Sequence, residues 1–310
     1  MASNYASKML IASNIYITTS SQSYLRRLIG KLSEKTQSVR RLPVFCDTTY
    51  NRSSIHLISS SPAELAEIIS TAVNSIYDDP PPESTATTTT TTPLADDGKE
   101  KASTPHPTLG IIDHVAILPV PPLEARPLAL DVFNHLAIDP AIKIERYGHA
   151  VSPFKSLADV RREHGYFVAT EPTTPKPILF GIPSDYVSNY NIRIRFQESQ
   201  EEDFPDDRDG KQLSACRRLS KLIRSRDNKG ATTGVEVLTL PYGEGAFELA
   251  TNLHEGTDSE RVLSMVKANL PSGAYVSCAY HIGLETQAKL REYFDNGSVS
   301  ENGNLFRFPP

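Results

Sequence analysis

The order in which strand-like and helix-like patterns follow one another constrains the fold of this chain more than any other feature. In the second half, residues 187–196 alternate as a strand, and the segments after it predict a helix, two strands, a helix, a strand and a last helix. The first half shows the same βαββαβ order, followed by an additional helix, strand and helix. This order is typical of the ferredoxin-like split βαβ fold, in which helices cover one face of a sheet. We therefore predict an α+β chain of two tandem ferredoxin-like subdomains with a cleft between them.

The composition changes abruptly at residues 79–105, which contain a proline triplet, a run of threonines at 87–92 and a charged patch. Because almost nothing apolar is available there for burial, we predict a disordered insertion. Residues 168–183 carry four prolines and little periodicity, which predicts a loop between the two halves. The predicted boundaries are 1–185 for the first subdomain, including the insertion, and 186–310 for the second.

Composition and charge exclude several classes of function. With 310 residues, 39% of them hydrophobic, the chain can bury a core, and its formal charge of −5 without a long basic run argues against a nucleic-acid partner. Three widely spaced cysteines, Cys46, Cys216 and Cys278, predict neither disulfides nor a metal site. No apolar run is long enough to span a bilayer, and the first ten residues do not resemble a signal peptide. We expect a soluble cytoplasmic protein with no membrane partner.

A histidine between two prolines, Pro105-His106-Pro107, directly precedes a segment rich in Ile and Val. The prolines fix their own φ and favour extended geometry in the preceding residues, so His106 is expected on a stiff loop at the mouth of a buried strand. A general acid–base needs such positioning, although a surface histidine without a role is the simpler alternative. His114, beside Asp113, could be a metal ligand, but no third ligand has suitable spacing, which favours a core histidine with satisfied hydrogen bonds.

Five stretches, in the same order along the chain, resemble the formiminotransferases, which move a formimino group from N-formiminoglutamate to tetrahydrofolate. Each stretch resembles a short motif of that family. His106-Pro107 with Leu109-Gly110 and Asp113 is similar to the motif His-Pro-Arg-Met-Gly-x-x-Asp, and Asn51-Arg52 is similar to Thr-Asn-Arg-Thr. Tyr147-Gly148 with Ala150 is similar to Tyr-Gly-Glu-Ala, and residues 189–192 are similar to Asn-Ile-Asn-Leu. The fifth stretch, residues 250–253 with 259–262 and 282–284, is similar to the end of the family's second lobe.

The resemblance implies two α/β subdomains around an electropositive folate tunnel, usually in a homodimer. It also implies a transferase of one-carbon metabolism and histidine degradation, with tetrahydrofolate as co-substrate, small molecules as partners and no metal. The cyclodeaminase portion that follows this module in animals is not expected, because the sequence stops at Pro310.

The resemblance also assigns roles to residues. His106 aligns with the catalytic histidine, and Asp47 would orient its imidazole or the substrate amine, unless it only caps a turn. Arg52 would hold a substrate carboxylate with its fork of donors. The other predicted substrate or folate contacts are Asn51, Tyr147, Gly148, Lys176 and Asn191. Arg193 and Arg195 are weaker candidates, because they share one face of a strand that could simply face solvent.

The sequence departs from the family motifs at three places. Thr108 stands where the family has arginine after His-Pro, residues 16–20 lack the acidic residue of the family's Asn-Phe-Ser-Glu-Gly, and the loop at 168–176 aligns poorly. Two functions are therefore considered, a folate-dependent one-carbon transferase and a non-catalytic folate-binding or protein-interaction protein of the same fold. A hydrolase that uses His106 as base lacks any nucleophile motif.

Overall fold

The computed structural model describes residues 9–33, 38–81, 110–120, 122–163, 177–197, 208–224, 234–243, 245–283, 286–296 and 304–310. These residues form two compact units. The first contains the described residues up to Tyr186 together with Gln287–Phe308, and the second contains Val187–Thr286 with Pro309–Pro310. Most of the predicted insertion, together with His106, Thr108 and Lys176, lies outside the described residues.

The secondary structure elements are named in chain order. The first unit begins with β1 (Leu10–Ile17), α1 (Gln22–Ser33), β2 (Val39–Arg41), β3 (Val44–Asp47), β4 (Arg52–Ser59), α2 (Pro62–Asp78), β5 (Ile112–Val120), α3 (Pro122–His135), β6 (Ile144–Gly148), α4 (Leu157–Glu163) and β7 (Ile178–Ile182). The second unit contains β8 (Val187–Phe196), α5 (Arg208–Ile223), β9 (Val235–Pro241), β10 (Ala246–His254), α6 (Ser259–Ala268) and β11 (Ala274–Ile282). The chain then returns to the first unit with α7 (Gln287–Asn296) and β12 (Phe306–Arg307).

The sheet of the first unit has the order β12-β3-β4-β1-β5-β7-β6, and β2 also pairs with β4. Strand β1 is antiparallel to both of its neighbours, whereas β7 is parallel to β5 and β6. Alternation along β1 directs Ile11 and Ile15 into the main core, which α1, α2 and α3 complete. Helix α2 begins as its sequence predicts, because the Ser61 side chain accepts a hydrogen bond from the Glu64 backbone N–H and Pro62 occupies the first turn.

The sheet of the second unit is antiparallel, with the order β11-β8-β10-β9. One face carries Ile192, Ile194 and Leu249, which pack with residues of α5 and α6 in a single apolar core. Because side chains alternate along a strand, Asn191 and Arg193 of β8 lie on the other face. We call this the polar face of the second unit.

The broad prediction of an α+β fold is confirmed, since both units combine helices with a sheet. The prediction that residues 168–183 form only a loop is wrong, because Ile178–Ile182 is strand β7, which lies between β5 and β6 in the first sheet. A parallel strand buried on both faces is uniformly apolar rather than alternating, so its sequence lacks the usual strand pattern, and Pro177 and Pro183 on either side made the segment resemble a loop.

Helix α7 packs in the first unit, where the Tyr293 hydroxyl donates a 2.8 Å hydrogen bond to the Arg41 carbonyl oxygen.

None of the helices in the described part of the chain has the length and apolar character that crossing a bilayer requires.

The backbone conformation at Gly148, at the end of β6, should permit only glycine, and a substitution can test this. Its φ is +65°, and a Cβ atom there would lie 2.0 Å from the Ile182 carbonyl oxygen. We expect Gly148→Ala to lower the free energy of unfolding by about 3 kcal/mol or more, measured by urea denaturation. The control is Gly30→Ala in α1, where a Cβ would meet nothing within 4 Å. This change should be neutral or stabilise by about 0.5–1 kcal/mol, and equal effects of the two substitutions would contradict the prediction.

Candidate functional site

A β-bulge at Asp113 shapes the candidate site. In the pairing of β1 with β5, Tyr16 lies opposite His114 and Ile17 lies opposite Ile112, so Asp113 is the extra residue. A bulge interrupts the alternation of side chains, which allows two successive residues to point to the same side. Asp113 and His114 therefore both lie on the face opposite the main core. We call this the polar face of the first unit.

Asp113 is fully buried, and two arginines converge on one of its oxygens. Arg52 Nη2 and Arg161 Nη2 each donate a 2.6 Å hydrogen bond to Asp113 Oδ2, and His114 Nδ1 lies 3.1 Å from the same atom. Burial alone would raise the pKa of this carboxyl, but Arg161, Arg52 and the hydrogen bond from His114 hold the pKa well below its usual range. Asp113 is therefore ionised. We call these four side chains the Asp113 cluster.

The other oxygen, Asp113 Oδ1, is buried and accepts no hydrogen bond within the described ranges. A buried polar atom without a partner costs roughly 1–3 kcal/mol, and in native structures it needs an explanation. The cluster thus has guanidinium donors at Asp113 Oδ2 and an unused hydrogen-bond acceptor at Asp113 Oδ1.

His114 contributes a neutral ring to the cluster. Burial lowers its pKa to about 4, and the nearby arginines act in the same direction, against the opposing effect of Asp113. Because Asp113 Oδ2 can only accept, we assign the proton of the neutral ring to Nδ1, which leaves Nε2 as an acceptor. The ring stacks on Tyr16 at a centroid distance of 4.2 Å. The hydrogen bond at Nδ1 and the stacked ring are features expected of the predicted core histidine.

His56, a buried histidine, extends the polar face to β4. His56 Nδ1 lies 2.8 Å from Asn14 Oδ1, and Nε2 lies 2.8 Å from Ser54 Oγ. The Asn14 oxygen can only accept, so Nδ1 carries the proton and Nε2 accepts from the Ser54 hydroxyl. Burial lowers the pKa of His56 to about 4, which keeps the ring neutral near pH 7. Asn14 Nδ2 also reaches the Tyr16 hydroxyl at 3.5 Å, so hydrogen bonds link β4 to β1, and the stacking of Tyr16 on His114 extends these contacts to β5.

Two predicted site residues lie next to Arg52, since Asp47 is the last residue of β3 and Asn51 lies in the turn between β3 and β4. Asp47 Oδ1 accepts hydrogen bonds from the backbone N–H groups of Thr49 and Tyr50, at 2.9 and 3.1 Å. Asn51 has a φ of +50°, and its Oδ1 accepts from both the backbone N–H and the hydroxyl of Ser20, each at 2.9 Å. Both side chains therefore stabilise the turn that leads into Arg52. The predicted role of Asp47 in orienting an imidazole remains a prediction.

The remaining predicted residues are distributed over both units. Tyr147 is buried on the polar face of the first unit, 6.4 Å from His114 between ring centroids, and burial raises its pKa. A Cβ at Gly181 would lie 2.4 Å from the Tyr147 ring, so the ring packs directly on the β7 backbone. Asn191 belongs to the second unit, where its Nδ2 donates to Glu248 Oε2 at 3.1 Å.

Sequence reasoning missed Arg161 as a site residue. It lies 48 positions from Asp113 in the sequence, and nothing local distinguishes it from its neighbour Arg162. Only the packing of Val160 against Tyr147 and Leu179 reveals which arginine of α4 faces the cluster. Within the residues that the structure describes, no group of three or more His, Cys, Asp or Glu side chains could hold a metal ion.

His56, which is buried, and His114, which is mostly buried, predict how stability depends on pH. The unfolded chain takes up their protons below a pKa of about 6.5, whereas the folded pKa values are about 4, so the free energy of unfolding should fall as the pH drops from about 6.5 to 4. Between pH 7 and 5 this loss is about 2 kcal/mol per histidine.

Urea denaturation at several pH values tests this expectation. His56→Gln should destabilise the protein at pH 7 and reduce the loss on acidification, while His135→Gln, at an exposed position on α3, should leave that loss unchanged. A wild-type protein that is equally stable at pH 7 and pH 5 would contradict the prediction.

Comparison with known proteins gives one distant similarity. No family model matches the chain. A formiminotransferase cyclodeaminase-like protein of Arabidopsis thaliana is 24% identical over 176 residues, which is 48% of this chain and 54% of that protein. The chain thus spans about half the length of this curated relative. The chain is distantly similar to a protein named for formiminotransferase activity.

Proposed function

We propose that this chain is a folate-dependent one-carbon transferase that moves a formimino group from N-formiminoglutamate to tetrahydrofolate. The observation that carries the proposal is the Asp113 cluster. Two guanidinium groups, which match a carboxylate, meet there beside Asp113 Oδ1, a buried acceptor suited to an N–H group. Both proposed substrates carry carboxylates and N–H groups. The distant similarity to the formiminotransferase cyclodeaminase-like protein supports the same choice.

The reaction requires a proton carrier. The secondary amine of tetrahydrofolate attacks the amidine carbon and loses a proton, while the leaving amine of glutamate gains one. In the proposal His106 moves that proton, because imidazole titrates near neutral pH. The described chain resumes at Gly110, where Thr18 holds it through hydrogen bonds to the carbonyl oxygens of Gly110, at 2.6 Å, and Ile111, at 2.7 Å. Four residues reach at most about 14 Å, so the proposal requires the reacting atoms near this anchor.

The other residues position the substrates. Arg52 and Arg161 would bind a carboxylate together, and the turn that Asp47 and Asn51 stabilise would place Arg52. Lys176 and Asn191 remain proposed folate contacts, and a homodimer remains part of the proposal.

The proposal includes the two tandem ferredoxin-like subdomains. Strands of the first unit lie in the order β3-β4-β1-β5, and those of the second lie in the order β9-β10-β8-β11. When each set is numbered along the chain, both orders read 2-3-1-4, which supports a duplicated βαββαβ unit with β2, β6, β7 and β12 added to the first copy.

A non-catalytic folate-binding protein is the second candidate. The observation in its favour is that Arg52 and Arg161 each form a 2.6 Å contact with Asp113, as they would if the cluster only stabilised the fold. Thr108, in place of the family's arginine, points in the same direction.

Calorimetric titration with 5-formyltetrahydrofolate tests folate binding. Arg161→Gln should weaken binding about tenfold or more, because a charge-assisted hydrogen bond is worth roughly 1.5–3 kcal/mol. The matched control is Arg162→Gln on the same helix, whose side chain is 62% exposed and pairs with Asp159. It should bind within twofold of wild type. The absence of binding to the wild-type protein would reject the transferase and the folate-binding protein, and would leave the protein-interaction alternative.

His106→Ala separates the two candidates. For a transferase, this change should abolish formimino transfer and leave the folate dissociation constant within a few-fold of wild type. If wild type binds folate but shows no transfer with N-formiminoglutamate, the non-catalytic candidate is favoured.

A further inference from the structure

His114 has one ring nitrogen that the Asp113 cluster does not use. Nδ1 lies 3.1 Å from Asp113 Oδ2, and the proton assigned to Nδ1 leaves Nε2 as an acceptor. The contact of the ring with Arg161, at 3.3 Å, is also made by Nδ1. Within the residues that the structure describes, Nε2 has no hydrogen-bond partner. The ring therefore carries an acceptor that the fold leaves unused.

The ring reaches the surface, unlike the carboxylate beside it. The His114 side chain is 13% exposed, and those of Arg52 and Arg161 are 13% and 15% exposed, whereas Asp113 is fully buried. Three side chains that each keep some contact with solvent thus surround the carboxylate. Because Asp113 Oδ1 is itself buried, a ligand that approaches the cluster first meets the two guanidinium groups and the His114 ring.

Three contacts fix the direction in which Nε2 accepts. Asp113 holds Nδ1, the ring stacks on Tyr16 with an interplanar angle of 17°, and Tyr147 lies edge-on with its centroid 6.4 Å away. The lone pair of Nε2 lies in the plane of the ring, so a fixed plane also fixes the line along which an N–H group can donate. An acceptor that is oriented in advance reduces the ordering that binding requires.

The charge beside this acceptor attracts an anion. Arg52 and Arg161 share one carboxylate, that of Asp113, and His114 is neutral, so the four side chains carry one net positive charge. Arg161 Nη2 lies 3.3 Å from His114 Nδ1, so little more than the imidazole ring separates this guanidinium from Nε2. A carboxylate drawn to the arginines therefore brings its neighbouring carbon, and any N–H group on that carbon, close to Nε2.

We propose that His114 Nε2 accepts a hydrogen bond from an N–H group on the carbon next to a carboxylate, so that the Asp113 cluster recognises N-substituted α-amino acids. A free α-amino acid is a poorer ligand, because its ammonium group concentrates a full positive charge beside two arginines. This role of His114 deepens the proposed function and rests on it for the natural ligand. N-formiminoglutamate and the glutamate end of folate both carry a substituted nitrogen next to an α-carboxylate.

Calorimetric titration of the full chain with two matched ligands tests the proposal. N-acetylglutamate has the N–H group, whereas 2-acetoxyglutarate has an ester oxygen in its place and the same two carboxylates. Wild type should bind the amide at least fivefold more tightly than the ester, because the ester oxygen leaves Nε2 without a donor. Equal affinities for the two ligands, or no binding of N-acetylglutamate, would overturn the proposal.

Two substitutions of His114 remove Nε2 in different ways. His114→Asn keeps an N–H donor for Asp113, and His114→Phe keeps a flat ring that can stack on Tyr16. In both variants the amide and the ester should bind within twofold of each other. The control is His135→Asn, at an exposed position on α3, which should keep the wild-type ratio.

The ratio of the two affinities separates recognition from a structural role. If His114 only stabilised the fold, its substitution would change both affinities alike and leave the ratio at its wild-type value. A preference for the amide that persists in both His114 variants would therefore overturn the proposal.

Nitrogen-15 NMR of the ring gives a measurement in the wild-type protein, independent of how the variants fold. Near pH 7 the spectrum should show His114 with its proton on Nδ1 and with Nε2 unprotonated. N-acetylglutamate should shift the Nε2 resonance more than 2-acetoxyglutarate does. A ring with its proton on Nε2 would overturn the proposal, because that nitrogen would then donate rather than accept.

The two matched ligands contain neither folate nor a formimino group, so the outcomes can be told apart. If the protein prefers the amide through His114 but neither binds folate nor transfers a formimino group, the proposed function is rejected and the role of His114 stands. If transfer is observed without a preference for the amide, only the role of His114 is rejected.

Discussion

The carboxylate of Asp113 is the charge on which the first unit depends. Removal of an ion from water costs several kcal/mol, and the cost is recovered only where opposite charges and hydrogen bonds surround it. Arg52 and Arg161 supply them from β4 and α4, so a single oxygen connects three elements that are distant in sequence. The same contacts bring basic groups to one point of the polar face, where the proposed carboxylate chemistry needs them.

Both units bury an acidic side chain beside an arginine, but the hydrogen bonds that stabilise the acid differ between them. Each sheet has one apolar face against helices and one polar face that contains a buried acid and arginine. In the first unit two arginines share Asp113 Oδ2, and its Oδ1 has no donor among the described residues. In the second, Glu248 receives neutral donors on both oxygens, and Arg193 has donor capacity to spare.

Much of the fold follows from local patterns, and much of the site does not. Alternation in β8 and the capping residues of α2 predicted both elements, because these signals lie within a few positions. Strand β7 escaped prediction because its burial on both faces removes alternation. Arg52 was selected by motif, whereas its partners Asp113 and Arg161 depend on a bulge and on helix packing, which arise only when distant segments meet. The acid–base role of His106 rests on resemblance alone.

The first unit is discontinuous in sequence, and this has a consequence for biosynthesis. Strand β12 pairs in parallel with the edge of β3, and helix α7 contacts the same region, yet both follow the whole second unit along the chain. As the chain leaves the ribosome, the β3 edge remains open until those residues emerge. An open strand edge is a template for unwanted pairing, so the nascent chain passes through an aggregation-prone interval that ends when β12 emerges and pairs with β3.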